Sequence, residues 1–301
     1  MFTAPEPPVR DRMLSARDHD CALLGLTGTA GGEVWGYAGR TLSAAVATPT
    51  TPAWLRLVSE PHGKGTGKLW EGPKEAERSM PPTVPRPRLL GLRDWSADGC
   101  DYRAELYEYV TTTPVSESPV IRRGMDLPDT WWHSLHRSLD RIATVPTDRV
   151  AVREQYIRRR VPEFTNIIPG QITWTTAHGD LHWANLTGPQ LTLLDWEGWG
   201  TAPTGYDAAN LYLHSLHVPD LAERVRKEFA HVLGTPAGLI GELTACTEIL
   251  QAAARVPFYA DLADHVRQHV DQLRALASTP DRTAQPQPPL PRRHGGPHSN
   301  T

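Results

Sequence analysis

The apolar pattern of this chain changes character once, near Val110, and that change restricts the folds open to it. Before Val110, apolar residues fall in short runs broken by glycine and proline: Ala22–Leu26, Glu33–Thr48, Pro52–Ser59, Leu89–Trp95 and Arg103–Val110. Runs of this length between turn residues predict five strands. A short helix fits between the third and fourth, over Pro73–Met80, with Pro73 suited to a first turn and Pro81-Pro82 as a stop. Beyond Val110 the spacing turns helical. Trp131, Leu135, Leu139 and Ile142 recur on one face, as do Val150, Ile157 and Val161, and further helices are predicted over Gly205–His217, Asp220–Leu233, Leu239–Ala254 and Tyr259–Leu276. A strand-like pair interrupts them, Ile172–Ala177 and Leu191–Asp195, joined through Gly188-Pro189. The pattern predicts an α+β chain of two lobes with a cleft between. Residues 1–18 read as a loose polar arm, 19–110 as a sheet lobe, 111–276 as a helical lobe, and 277–301 as a Pro-rich disordered tail whose only large apolar residue is Leu290.

Composition excludes several classes. The 28 prolines and 24 glycines make up about a sixth of the 301 residues, below the roughly 25–30% that marks a low-complexity chain. A net charge of −3 argues against a protein whose affinity rests on neutralising phosphates of nucleic acid. No apolar stretch approaches the roughly 20 residues that span a bilayer, and the first 13 residues lack the apolar core of a signal peptide, so a cytoplasmic protein without membrane partners is expected. Cys21, Cys100 and Cys246 are isolated and odd in number, which removes disulfide scaffolds and zinc knuckles. Only four of the 31 basic residues are lysines (Lys64, Lys68, Lys74 and Lys227), the skew of a GC-rich, bacterial genome. The sequence does not specify an oligomeric state.

The chemistry is concentrated in His178-Gly179-Asp180-Leu181-His182-Trp183-Ala184-Asn185, followed ten residues later by Asp195-Trp196-Glu197. Phosphoryl transfer from a nucleotide needs an acceptor oxygen held in line and metal ions to spread the triphosphate's charge. An Asp followed five positions on by an Asn supplies both from one loop. Asp180 can accept or orient the acceptor's hydroxyl proton, and the amide oxygen of Asn185 can hold Mg²⁺. Asp195, ending the apolar run Leu191–Leu194, would aim a second oxygen ligand at the same ion. The turn at Gly188-Pro189-Gln190 lets the two segments pair as a hairpin.

These segments resemble the catalytic and metal-binding loops of the aminoglycoside phosphotransferase and choline kinase superfamily, small-molecule kinases with a protein-kinase-like fold. Residues Gly200–Tyr212 resemble the family's helix start with its buried structural aspartate, here Asp207, and His178 takes a structural place beside it. The resemblance implies a five-stranded antiparallel sheet with one helix above a mainly helical lobe. It implies an enzyme moving the γ-phosphate of ATP or GTP, with Mg²⁺, to a hydroxyl of a small molecule. Asp180 and His182 are the implied catalytic residues and Asn185 and Asp195 the metal ligands. The loop holding Gly28, Gly31 and Gly32 is placed to cover phosphates, and the Leu106–Val110 segment offers backbone groups at Glu108 and Val110 to the purine.

The third strand departs from that pattern. Where the family has a Lys on the α/β-phosphates, this chain has Arg56, which keeps the charge but presents a planar fork. Glu71, Glu75 and Glu77 are the candidates to pair with it. The substitution keeps a second reading open, a nucleotide-binding pseudokinase serving as sensor or scaffold. The acceptor is not written in the sequence. Asp261 and Asp264 would suit a polycation, whereas Trp183, Trp196 and Trp199 would suit an aromatic or sugar-bearing acceptor or simply pack the loop. Other signals are weaker. His62–Leu69 fails the P-loop pattern, with His62 in the first Gly place and Leu69 in the Ser/Thr place. The pairs His133/His136, His214/His217 and His265/His269 lack a third zinc ligand. Arg158–Arg160 reads as a solvated helix face, and Pro288–Arg292 as part of the disordered tail.

Overall fold

The computed structural model describes residues 3–28 and 32–277. Helix α1 (Pro7–Leu24) comes first, followed by strands β1 (Thr27–Gly28), β2 (Val34–Trp35), β3 (Thr41–Ala47) and β4 (Pro52–Pro61). Helix α2 (Lys68–Ser79) separates these from β5 (Leu89–Ala97) and β6 (Cys100–Glu108). The six strands form one antiparallel sheet in the order β1-β3-β4-β6-β5, with β2 pairing alongside β1 on β3. The five-stranded path is thus joined by a sixth strand, because Glu33–Thr48 breaks at the 3₁₀ turn Tyr37–Gly39 into two pieces.

Residues 7–18, expected to lie in a loose arm, are helical instead. Pro7 and Pro8 occupy the first turn of α1, where a missing N–H costs nothing, and Gly25 closes the helix in the left-handed region. The helix packs on one face of the sheet, where Met13 is fully buried among Leu42, Leu55, Leu57 and Tyr102. Ala22–Leu24, read as the start of a strand, are its last turn. Alternation along β4 does the rest: Ala53, Leu55 and Leu57 face this core, and Arg56 points to the opposite side.

Helix α2 begins five residues before the expected start, so Pro73 sits inside it and removes one hydrogen bond to Leu69. The buried face of Trp70, Gly72, Pro73 and Ala76 compensates, and Ala76 and Met80 join the core of the second lobe.

The second lobe follows β7 (Thr113–Pro114) with helices α3 (Asp129–Ala143) and α4 (Glu154–Thr165), then strands β8 (Trp174–Ala177), β9 (Thr187–Gly188) and β10 (Gly200–Pro203). Helices α5 (Tyr206–Leu213), α6 (Pro219–Glu228), α7 (Leu239–Ala253), α8 (Pro257–Ala260) and α9 (Ala263–Ala277) complete it. The helix expected over Tyr259–Leu276 is therefore two, and Val150 lies before α4 in a bridge to Thr201. Helix α5 is buried along its whole length, and α7 packs against α4, α5 and α9.

The expected strand pairing is also different. Strand β8 pairs with β10, not with Leu191–Asp195. The tight turn at Gly188–Gln190 can reverse only the residues beside it, so Leu191–Leu194 folds back on Asn185–Thr187: the Leu194 N–H donates to Asn185 O at 2.8 Å and the Thr187 N–H to Thr192 O at 3.1 Å. The result is the predicted two-lobed α+β fold. No described helix is long and apolar enough to cross a membrane. The proposed tail beyond residue 277 lies outside the described residues.

Because Met13 fills the sheet core, Met13→Ala should cost about 2–5 kcal/mol in denaturant unfolding. A loss within about 0.5 kcal/mol, the usual surface effect, would mean that α1 does not hold the sheet.

Candidate functional site

The site is built from one buried carboxylate outward. Asp207, in the first turn of α5, accepts the backbone N–H groups of His178 and Gly179 at 2.7 and 3.0 Å. Desolvation raises its carboxyl to about 6, against the pull of those two donors. His178 is fully buried and its Nε2 meets Leu194 O at 2.9 Å, so the turn is tied to both α5 and the segment before Asp195. Gly179 has φ +83°, and a Cβ there would lie 2.6 Å from Gly198 O, so only glycine lets the two loops approach this closely.

The same loop carries Asp180, whose side chain is half exposed. The 3₁₀ turn Trp183–Asn185 then swings Asn185 back, and its Nδ2 donates to Asp180 O at 2.9 Å and to Asp180 Oδ2 at 3.2 Å. Trp183 anchors the turn from beneath, fully buried, stacked on Trp131 and donating to Ser215 Oγ at 2.9 Å. Trp196 and Trp199 are buried as well, donating to Leu193 O and Gly72 O, so all three tryptophans pack the loops rather than face an acceptor.

His182 Nε2 lies 3.6 Å from Asp180 Oδ2. Burial lowers the imidazole's affinity for a proton, but the Asp180 carboxylate more than restores it. Desolvation would raise Asp180 in turn, yet His182 beside it, with His178 and His214, holds it well below the usual carboxylate range. Asp195 sits at φ +59°, a backbone conformation that Asp tolerates better than most residues, and the bend drops Trp196 into the core. Desolvation and the neighbouring Glu197, against Arg56, push the Asp195 carboxyl up to about 7, with Asp180 adding to the crowding.

Arg56 reaches this group from the sheet. Its Nη1 donates to Glu105 Oε2 at 2.9 Å, its Nη2 contacts Glu197 Oε2 and lies 3.7 Å from Asp195 Oδ1. Glu105 is its direct cross-strand partner on β6, which explains the pairing. None of the three expected glutamates pairs with it. Glu71 is 3.7 Å from Arg103, Glu75 bonds Arg78, and Glu77 bonds Arg86 and Arg88.

Gly31 lies outside the described residues; at Gly28 and Gly32 a Cβ would meet no atom within 4 Å. Glu108 ends β6 with its N–H donated to Arg88 O at 3.0 Å, and Val110 follows two residues on, half-buried. Asp261 bonds Arg122 at 2.9 Å and Asp264 bonds Arg267 at 2.6 Å.

The sequence reading missed four contributors. Arg40, after the turn Tyr37–Gly39, bonds Glu197 Oε1 at 3.1 Å and Glu60 at 2.5 Å. Gly72 lets the loop dock on α2, since a Cβ there would lie 2.2 Å from Glu197 O. Glu248 on α7, raised to about 7 by desolvation, accepts the Tyr206 hydroxyl and feels the charges of Lys68 and Asp180. His214 on the end of α5 lies behind His182, their rings 5.6 Å apart. Only the polar spacing of the helices could have hinted at the last two.

A hard divalent cation fits the donor chemistry. With its amide nitrogen committed to Asp180, Asn185 has its carbonyl oxygen left as a ligand, and the crowded carboxylate of Asp195 would gain from positive charge. Among the described residues no three His, Cys, Asp or Glu side chains form a metal cluster, so such an ion would be shared with a ligand's own oxygens, the habit of Mg²⁺.

No family model and no curated protein matches the sequence. Solved structures do match the fold. A spectinomycin phosphotransferase in complex with ADP and spectinomycin aligns with a TM-score of 0.52 at 10% identity, over 88% of this chain and 94% of that one. A microcompartment-associated aminopropanol kinase aligns with a TM-score of 0.56 at 12% identity, over 88% and 98%. At these identities the likeness establishes the architecture, a protein-kinase-like pair of lobes.

His214 offers a test of the site's electrostatics. It is buried between Asn210 O, 2.7 Å from Nδ1, and Tyr259 Oη, 3.2 Å from Nε2, and desolvation with the His182 charge lowers it to about 4. A depressed histidine is neutral in the fold, so its contribution is complete above pH 6.5 and is lost as the pH falls towards 4. The destabilisation caused by His214→Asn should therefore shrink from pH 7 to pH 4, by up to about 1.4 kcal/mol per pH unit. A gap between variant and wild type that stays constant over that range would contradict a buried neutral imidazole.

Proposed function

We propose that the chain is a phosphotransferase that moves the γ-phosphate of ATP or GTP to a hydroxyl of a small molecule. The observation that carries this reading is the arrangement around Asp180. One carboxylate, half exposed, is oriented by the Asn185 amide and kept ionised by His182, and its charge is felt by Asp195, which in turn lies 3.7 Å from Arg56.

In this reading Asp180 accepts a hydrogen bond from the acceptor hydroxyl and takes its proton as the new bond forms. A carboxylate held far below its ordinary range is a weak base, so its main work is to aim the oxygen; proton uptake comes late, when the oxygen has become acidic. His182 keeps Asp180 charged. Asn185 and Asp195 would hold Mg²⁺, which supplies charge neutralisation of the phosphates. Arg56 steadies the phosphate oxygens, the loop of Gly28, Gly31 and Gly32 covers them, and the backbone at Glu108 and Val110 receives the purine. His178 and Asp207 keep the catalytic turn in place. The similarity to the spectinomycin and aminopropanol enzymes agrees with a small acceptor carrying a hydroxyl. The domain division follows the same logic once α1 is counted with the sheet: the lobe expected over 19–110, extended to take in the whole helix from Pro7, would cover the nucleotide, and 111–276 would present the acceptor.

A second reading is favoured by one observation, that Arg56 is held by Glu105 and Glu197. A chain that binds nucleotide without turning it over would serve as a sensor. A panel of hydroxylated metabolites and antibiotics with labelled ATP and GTP separates the two. Transfer to a small acceptor is expected, and Asp180→Ala should lower turnover by about 10²–10⁴. Nucleotide at 100 times its Kd adding about 2.7 kcal/mol of stability, with no transfer or hydrolysis, would support the sensor instead. Turnover of Asp180→Ala within a few-fold of wild type would remove that residue from its role.

A further inference from the structure

We propose that Arg40 is a second phosphate-binding residue, and that Glu197 occupies the place of the nucleotide's phosphate between Arg40 and Arg56 until nucleotide displaces it. The inference rests on the nucleotide-binding reading above and deepens it.

The two guanidiniums converge on one carboxylate. Glu197 Oε1 accepts from Arg40 Nη1 at 3.1 Å, and Glu197 Oε2 contacts Arg56 Nη2 and lies 3.4 Å from Arg40 Nη1. An arginine fork recognises carboxylate and phosphate oxygens by the same geometry, so a carboxylate straddling two forks marks where a phosphate would be gripped.

The remaining partners are of a different kind. Arg56 is also held by Glu105, its cross-strand neighbour, with a side chain only 1% exposed. Arg40 is also held by Glu60, on β4. Both belong to the sheet that carries the arginines, so they fix the two forks whether or not the cleft is filled. From beyond β9 in the other lobe come Glu197 and Asp195; Glu197 bonds both guanidiniums, whereas Asp195 Oδ1 approaches only the Arg56 Nη2, at 3.7 Å. Glu197 is also the partner anchored by its backbone, with its carbonyl oxygen 3.2 Å from Arg149 Nη2, so the side chain can turn away while the loop stays in place. An anionic ligand entering the cleft therefore exchanges one carboxylate for its own oxygens and leaves the aimed guanidiniums undisturbed.

Calorimetric titration with ADP and with adenosine, both in EDTA so that no metal contributes, tests this on the full chain. Arg40→Gln should weaken ADP binding about tenfold, Arg40→Lys less, and neither should change adenosine binding. Glu197→Gln should tighten ADP binding several-fold, again without effect on adenosine. The opposite signs matter, because an ion pair that only joined the lobes would give the same sign for both variants. The proposal is overturned if ADP affinity is unchanged in Arg40→Gln, if Glu197→Gln weakens ADP, or if ADP and adenosine shift together. A wild-type chain that binds neither ligand would overturn the nucleotide reading itself and the two-arginine grip with it.

Discussion

Two backbone N–H groups shared by one buried carboxylate hold the rest of the site in register. Asp207 fixes the peptides of His178 and Gly179, and from that fixed turn every other position follows. The turn presents Asp180, the next tight turn returns Asn185 to it, and His178 reaches across to Leu194 so that Asp195 emerges beside the pair. A buried carboxylate is costly unless hydrogen-bonded, and here its two donors are the groups whose position matters. Helix α5 can supply it because the whole helix is buried, which leaves Asp207 no solvent-facing alternative.

The lobes meet through the segment just after Asp195. Its backbone packs against Gly72 of α2 and its Glu197 side chain reaches Arg40 and Arg56 on the sheet. In the proposed reading, phosphoryl transfer asks for charge to be gathered around a nucleotide between the lobes, and the charged groups here come from both sides. The sheet brings guanidiniums already aimed by Glu60 and Glu105, and the helical lobe brings acidic and amide oxygens. That division explains why an arginine can stand where the resembled enzymes have a lysine. A fork held by its cross-strand neighbour Glu105 offers fixed geometry in place of a mobile point charge.

Much of this was legible in the residues. The two lobes followed from the change of period near Val110, and the contact of Asn185 with Asp180 from their spacing within one loop. What was hidden depended on partners distant in sequence. The first 18 residues looked too polar to pack, but a single face bearing Met13 is enough to cover a sheet. The partner of Arg56 was sought on the nearby helix, whereas register across β4 and β6 delivered Glu105, 49 residues away. Arg40 gave no local signal, since its importance arises only when the loop of Glu197 comes back over the sheet. Pairing Ile172–Ala177 with Leu191–Asp195 failed for the same reason: β8 closes with β10, formed after both.

In the proposed reading, Asn185 and Asp195 would present oxygens to one cation shared with a nucleotide. Electron paramagnetic resonance of Mn²⁺, used in place of Mg²⁺, measures this directly as loss of the free-ion signal in the presence of ADP. The account predicts that the chain with ADP removes more Mn²⁺ from solution than ADP or the chain alone, and that Asp195→Ala abolishes the excess. Equal uptake by Asp195→Ala and wild type, or no excess over ADP alone, would contradict it.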